Sequence, residues 1–478
     1  MVGYPEVIKI GTYGLYRKVH HAYGWTAAPS LLDQRCEMSF LATKINLLTA
    51  LVLWLGVAAG WRKPAPDASV QSASQQGIPP AAPLTSPSAP SEPPNSAQLR
   101  DDIKTVESLL PASPRSGFAD RGAALYFLAD HYLRLGDRVK ALALLQECAA
   151  LDEGFDPTDD GNFVPLKDDA GFRQLVEQVR RRYPPVHRAH VAFTLAQKEL
   201  FPEGLAVDPA KRLFYMSNMH LRKIVKITEA GEVADFVSPG LYDLMLVLGV
   251  HVDPADHSVW CATYPGKKNR PEIVHFDEHG QLLERYTPPG TGRLALNDLV
   301  LRDTREIYVT DTQGNRVYRF DRTLHRFTEL KLSRPVFWPN GITISGDGNV
   351  LYIADLLGVV RMDLKTNQSE DVAPAPHDTL AGIDGLYWHN GSFVGVQYGT
   401  GANRVMHWNL SPDGRRVASS EVLERGTELV RNPTTGAILD EQFYFIADTG
   451  IDNLDSAGKI VDKTKLDEPL HIAVVPLK

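Results

Sequence analysis

Two stretches decide the fold: LNDLVLRDTREIYVTDT, residues 296–312, and PNGITISGDGNVLYIAD, residues 339–355. Each starts with an amide residue followed by Asp or Gly and runs on as a short apolar strand. It then turns through Asp, Gly or Asn and returns as a strand rich in aromatic and β-branched residues, the pattern of an antiparallel meander. The pattern recurs as PEGLAVDPAKRLFYMSN (202–218), LGVHVDPADHSVWCAT (248–263), IDGLYWHNGSFVGVQYG (383–399) and TTGAILDEQFYFIADTG (434–450). With Gly204, Gly249, Asp298, Gly341, Gly385 and Gly436 as markers, the spacings are 45, 49, 43, 44 and 51 residues. Third strands follow in several units: KIVKI, RVYRF, VVRMDL and RVMHW. Repetition at 40–50 residues predicts four-stranded blades arranged radially, here an all-β six-bladed β-propeller over 190–478. HVAFTLA (190–196) and LHIAVVPL (470–477) are strand-like, and the sixth unit is short of strands. The two ends are therefore expected to meet in blade six, which protects edges that an open sheet would expose.

Upstream of the repeats, Leu99, Ile103, Val106 and Leu110 form one helical stripe, and Phe172, Leu175, Val176 and Val179 another. Between them LADHYLRLGDRVKALALLQECAALD (128–152) places Tyr132, Gly136, Ala141, Ala149 and Leu151 so that it resembles one tetratricopeptide unit. Gly136-Asp137 breaks the pair, with Asp137 as cap of the second helix. Residues 98–185 are thus expected to be a small all-α, tetratricopeptide-like module. A lone unit cannot bury its own face, so it leans on something. A structural cap on the next domain is favoured over a groove for a protein partner. The propeller from 186 onward is expected to fold alone.

Residues 47–61, LLTALVLWLGVAAGW, are apolar apart from Thr49, and Lys44 precedes them. Residues 38–61 therefore read as a signal peptide or membrane anchor. Nine prolines in 64–94 make 62–97 a semi-rigid linker. Residues 1–37 look unlike either segment, which makes Met38 the expected start of translation. The chain is expected to be anchored to a membrane or exported, with its folded part on the extracytoplasmic side.

Charge and cysteine narrow the function. Fifty basic and 58 acidic residues give a net charge of −8, so a bulk basic surface for nucleic acid is absent. Cys36, Cys148 and Cys261 lie far apart, which excludes a disulfide framework and a thiolate zinc site.

The start of each innermost strand faces a propeller's channel, and four of the six units put an oxygen-bearing side chain there: Glu203, Asn297, Asn340 and Asp384. The other two carry Leu248 and Thr435. Two carboxylates and two amides are hard donors that suit one divalent cation, calcium first, with zinc, manganese or magnesium as alternatives. In this set, Glu203-Gly204, Asn297-Asp298, Asn340-Gly341 and Asp384-Gly385, the chain resembles the senescence-marker-protein (regucalcin)/gluconolactonase family of six-bladed propellers. That resemblance implies Glu203, Asn340 and Asp384 as metal ligands, and Asn297 as a fourth ligand or a substrate contact. Paraoxonases look more distantly similar, but their channel histidine is replaced by Leu248, and His251 lies three residues on. Strictosidine synthase relatives lack the four oxygens. The expected activity is a metal-dependent lactonase or related esterase acting on a small-molecule lactone or ester. Asp384 would take the proton from the attacking water. The alternative is a non-catalytic propeller that binds a ligand or protein, with the helices as docking module. Gln397, Arg222 and Tyr264 are weaker candidates for the channel mouth, and His220, His377 and His389 show no ligand spacing.

Overall fold

The computed structural model describes residues 96–110 and 121–477, except 159, 198, 265–269, 291–293, 399–400, 402, 456–457 and 468. The segments read as extension, signal or anchor, and most of the linker lie outside the described residues.

Six antiparallel sheets follow one another along the chain. Blade one comprises Leu205–Asp208, Leu213–Asn218, Lys223–Thr228 and Val233–Val237. Blade two comprises Leu246–Val252, Val259–Tyr264, Ile273–Phe276 and Leu282–Tyr286. Blade three comprises Leu296–Leu301, Glu306–Asp311, Arg316–Asp321 and Arg326–Glu329. Blade four comprises Ile342–Ile344, Val350–Asp355, Gly358–Asp363 and Gln368–Asp371. Blade five comprises Ile383–His389, Ser392–Gln397, Arg404–Leu410 and Val417–Arg425. Blade six takes Gly436–Leu439, Gln442–Ile446 and Leu470–Pro476 from the end of the chain.

The innermost strands touch in a ring, each against the next and the sixth against the first. The ring is a six-bladed β-propeller. Its core lies between blades, where apolar side chains of neighbouring sheets interlock; Val309, Ile307 and Phe320 of blade three meet Trp260 and Ile273 of blade two. Middle strands such as Ser392–Gln397 are buried along their whole length, because both faces are covered by flanking blades.

Two segments ahead of blade one close the ring. Strand β1 (Val186–His187) adds a fifth strand to blade five, pairing Val186 with Arg425. Strand β2 (His190–Leu195) is the outer strand of blade six, pairing His190 with Val474 and Leu195 with Leu470. The ends meet where the sequence places them. Between β1 and β2 the buried Glu424 carboxylate accepts bonds from Arg188 N (2.7 Å) and Ala189 N (2.9 Å) and lies 2.8 Å from His187 Nδ1. Burial alone would raise its pKa, but these bonds hold it below its ordinary 4.5.

Among the described residues, four α-helices precede the propeller: α1 (Ser96–Leu109), α2 (Arg121–Arg134), α3 (Arg138–Leu151) and α4 (Ala170–Arg182). Asp137 caps α3 by accepting from Lys140 N at 2.9 Å, and Gly136 supplies the left-handed turn before it, φ +90°. The helices do not close a core of their own. Ala123, Phe127, Leu128 and Leu144 share one apolar cluster with Phe337, Leu356, Leu357 and Ala381 from the loops of blades four and five. Phe127 also meets Trp338 edge-on at 6.0 Å. This shared cluster is where the helices lean on the propeller. The cause lies in α2, which is buried almost all round and needs a second surface on the propeller side.

Candidate metal centre

At the start of each inner strand the chain must pass its neighbour closely, and the glycine column makes that passage possible. A Cβ on Gly204 would sit 2.3 Å from Leu248 O, one on Gly249 2.7 Å from Asn297 O, and one on Gly341 2.3 Å from Asp384 O. Each glycine therefore abuts the carbonyl of the residue that precedes the marker in the next blade. This interlock holds the residue ahead of each marker at the same level of the channel.

Hydroxyl groups fix the same level. The carbonyl of Glu203 accepts from Thr434 Oγ1 at 2.9 Å and from Thr435, while Ser217 Oγ accepts from Gly204 N at 2.7 Å. Thr310 Oγ1 donates to Asn340 O at 2.8 Å, and Thr312 Oγ1 donates to Pro339 O at 2.7 Å. Asn297 Nδ2 donates to Thr312 Oγ1 at 3.1 Å, which fixes the amide and its oxygen. Asn340 Nδ2 donates to Asp384 Oδ1 at 2.6 Å. The structure thus brings Asn340 and Asp384 into direct contact.

Three residues of this set carry oxygens that lack a donor among the described residues. Glu203 is 0%, Asp384 2% and Asn297 5% exposed. Both carboxylate oxygens of Glu203, Asn297 Oδ1 and Asn340 Oδ1 are buried without a hydrogen-bond partner among the described residues. Leaving a buried oxygen unsatisfied costs about 1–3 kcal/mol, more for a charged one. Burial pushes Glu203 well above its ordinary pKa, and the charges of Asp384 and Asp298 push it further. Three carboxylates, those of Glu203, Asp298 and Asp384, sense one another here. A divalent cation would satisfy the orphaned oxygens and offset the repulsion, so the residues present fit one. Among the described residues, no three His, Cys, Asp or Glu side chains cluster as a metal-holding group. The candidate set is mixed, since two of its four donors are amides.

Asp298 is the feature the sequence reading underused. It occupies the glycine column in blade three, and its carboxylate accepts from Leu299 N at 2.8 Å and from Ile342 N of blade four. Burial raises it to about 7, against those two bonds and with a further push from Asp384. The signal was an aspartate where five other units carry glycine. Tyr387 is a second such residue: its hydroxyl accepts from Gly436 N at 2.7 Å, and burial and the Asp298 charge raise its pKa.

Leu248 is 3% exposed in an apolar cluster with Phe201, Met219, Tyr264 and Ala295. Blade two thus brings an apolar wall to the ring. His251, paired with Trp260, has its pKa lowered by burial. Gln397 is committed to Thr379 O and Ala381 O at 3.0 and 2.7 Å, and Tyr264 accepts from Gln313. Arg222 sits in the left-handed turn after Asn218, φ +53°. His220 Nδ1 meets Gly458 O at 2.6 Å, His389 lies 3.0 Å from Glu441, and His377 is exposed. None of these histidines joins the ring.

No protein-family model matches the chain, and no curated protein matches it. Among solved structures it is similar to a gluconolactonase from Xanthomonas campestris, with 16% identity, 62% of this chain and 98% of that one covered, and a TM-score of 0.43. It is also similar to a luciferin-regenerating enzyme, at 14% identity, 61% and 95% coverage and a TM-score of 0.44. A virginiamycin B lyase from Staphylococcus aureus aligns at 18% identity over 53% of this chain and 80% of that one, with a TM-score of 0.40.

Proposed function

We propose that the protein is a metal-dependent hydrolase of the lactonase or gluconolactonase-like esterase type, with its centre at Glu203, Asn297, Asn340 and Asp384. The observation that carries the reading is the set of orphaned, buried oxygens of Glu203, Asn297 and Asn340 from three separate blades, with the buried Asp384 of a fourth in contact with Asn340. These four residues would hold one divalent cation, calcium first by its preference for hard oxygen donors. When bound, such a cation supplies a Lewis acid for a lactone or ester carbonyl and lowers the pKa of water. Asp384, aligned by the Asn340 amide, accepts the proton of the attacking water. Asn297, held by Thr312, orients the substrate or completes the ligand set. Leu248 and its apolar cluster exclude water from one side of the ring.

The same reading keeps the helices as a tetratricopeptide-like cap, and keeps the apolar run 45–61 as a signal or anchor that places the folded part on the extracytoplasmic side. The test is metal analysis of the purified chain followed by a panel of sugar lactones, acyl lactones and aryl esters. One equivalent of divalent metal with chelator-sensitive turnover supports the reading. Metal without turnover on any ester supports the second one, a ligand-binding propeller, which the shared core of helices and propeller also fits.

A further inference from the structure

A cleft of about 600 Å³ lies between the helices and the propeller. It opens at the end of the propeller that carries the ring. Its lining residue Tyr398 donates its N–H to Gly382 O at 2.9 Å, two residues before Asp384, and its lining residue Arg431 precedes Thr434 by three. A volume of 300–1,000 Å³ is usual for sites that enclose small organic ligands.

The walls differ in chemistry. Tyr126, Phe127, Phe155 and Tyr398 supply an aromatic wall. Arg180 of α4, Arg425 at the end of blade five and Arg431 supply cations. Arg425 is the one whose charge is poorly met. Its Nη2 donates to Pro184 O at 2.7 Å and its guanidinium lies 5.3 Å from the Tyr183 ring centre. Its Nε is buried without a hydrogen-bond partner among the described residues. Its neighbour across the strand pair is another arginine, Arg404, which lies 3.5 Å from Asp378 and donates to Gln397 at 2.6 Å. Burial and the Arg404 charge act against the charged form of Arg425 and outweigh the support of Asp156 and Tyr183. Arg431, by contrast, is paired with Glu428. Arg425 lines a concave, aromatic-lined space, and a guanidinium there is a ready partner for one carboxylate. Asp130, Asp156, Asp160 and Glu428 in the same lining disfavour a polyanion.

We propose that this cleft binds a small organic monocarboxylate, with its charge on Arg425 and Arg180 and its apolar body against the aromatic wall. The site is independent of the hydrolase reading, and its test is run with chelator present so that the ring takes no part.

Calorimetric titration of the full chain with 3-phenylpropionate, 3-phenylpropionamide and inorganic phosphate separates the terms. The acid is expected to bind saturably at one site. The neutral amide and phosphate should each be weaker by about tenfold or more, since one lacks the charge and the other the apolar body. Arg425→Gln should weaken the acid by about tenfold or more and leave the amide unchanged. Arg180 is exposed on α4, so Arg180→Gln tests the same charge with folding left intact, and should weaken the acid about threefold. Equal binding of acid and amide, tighter binding of phosphate, no saturation by the acid, or unchanged affinity in both variants would each overturn the proposal.

Discussion

Blades one, three, four and five begin with Glu203, Asn297, Asn340 and Asp384, while blades two and six begin with Leu248 and Thr435. Yet all six build an inner strand of the ring, and Gly249 leaves no room for a Cβ against Asn297 O, just as Gly204 leaves none against Leu248 O. The turn therefore does not require an oxygen-bearing side chain; the glycine and the flanking hydroxyls build it. What the four blades add is chemistry that the fold does not ask for, and that in three of them leaves buried oxygens unmet among the described residues. Residues that burden a fold without building it are where function is to be sought.

The comparison breaks most visibly at Asp384. Asp384→Asn keeps the volume and one oxygen but removes the base. Turnover on the best lactone of the panel should fall by about 10²–10⁴-fold, while metal content by atomic emission stays near one equivalent. A variant with full turnover would reduce the ring to turn residues.

Metal removal should come next in size. A ligand that binds only the folded state stabilises it by about 2.7 kcal/mol at a hundred times Kd. At about 2–4 °C per kcal/mol, chelation should lower Tm by about 5–10 °C in scanning calorimetry, and added calcium should restore it. An unmoved transition speaks for an empty ring of amides and acids.

A third test uses pH. Glu203 and Asp298 sit above their ordinary values of 4.5 and 3.8, Asp298 at about 7. Between the ordinary and raised values the folded, metal-free chain holds more protons than the unfolded one, so stability falls as pH rises through that window. Urea midpoints with chelator should be higher at pH 5 than at pH 8, and Glu203→Gln should flatten the difference. Glu203→Gln should also weaken metal binding about tenfold or more, with partial rescue by excess metal. A slope equal in wild type and variant would mean that Glu203 ionises in the folded chain as it does in the unfolded one.

The smallest change at the site is expected from the odd blade. Leu248→Ala should cost about 2–4 kcal/mol of stability by chemical denaturation, because it opens a cavity in the cluster with Phe201 and Met219. Metal affinity should stay within about threefold, since blade two contributes no oxygen. A larger loss would show that the apolar wall sets the ring's geometry.

The six blades were legible because Gly204, Gly249, Gly341 and Gly385 mark a steric requirement that repeats. The four oxygens were legible because they stand one residue ahead of that column. Closure was legible from two terminal strand patterns, but β1 was not, because two residues carry no periodicity. The shared core of α2 with Phe337 and Leu356 was hidden too: no local pattern says which loop a helix will cover. Arg425 and Arg180 stand far apart in the sequence, and only the packed helices bring them to one cleft.

The pairing of β2 with Leu470–Pro476 also sets a timetable. On a ribosome adding roughly 5–20 residues per second, Leu195 emerges tens of seconds before its partner Leu470 exists. Throughout that interval the inner strands of blades one to five can stack but the circle stays open, with an unpaired edge on each flank. A nonsense mutation shortly before Leu470 would thus strand a nearly finished protein with two exposed edges, a substrate for chaperones rather than a slightly shorter version of the protein.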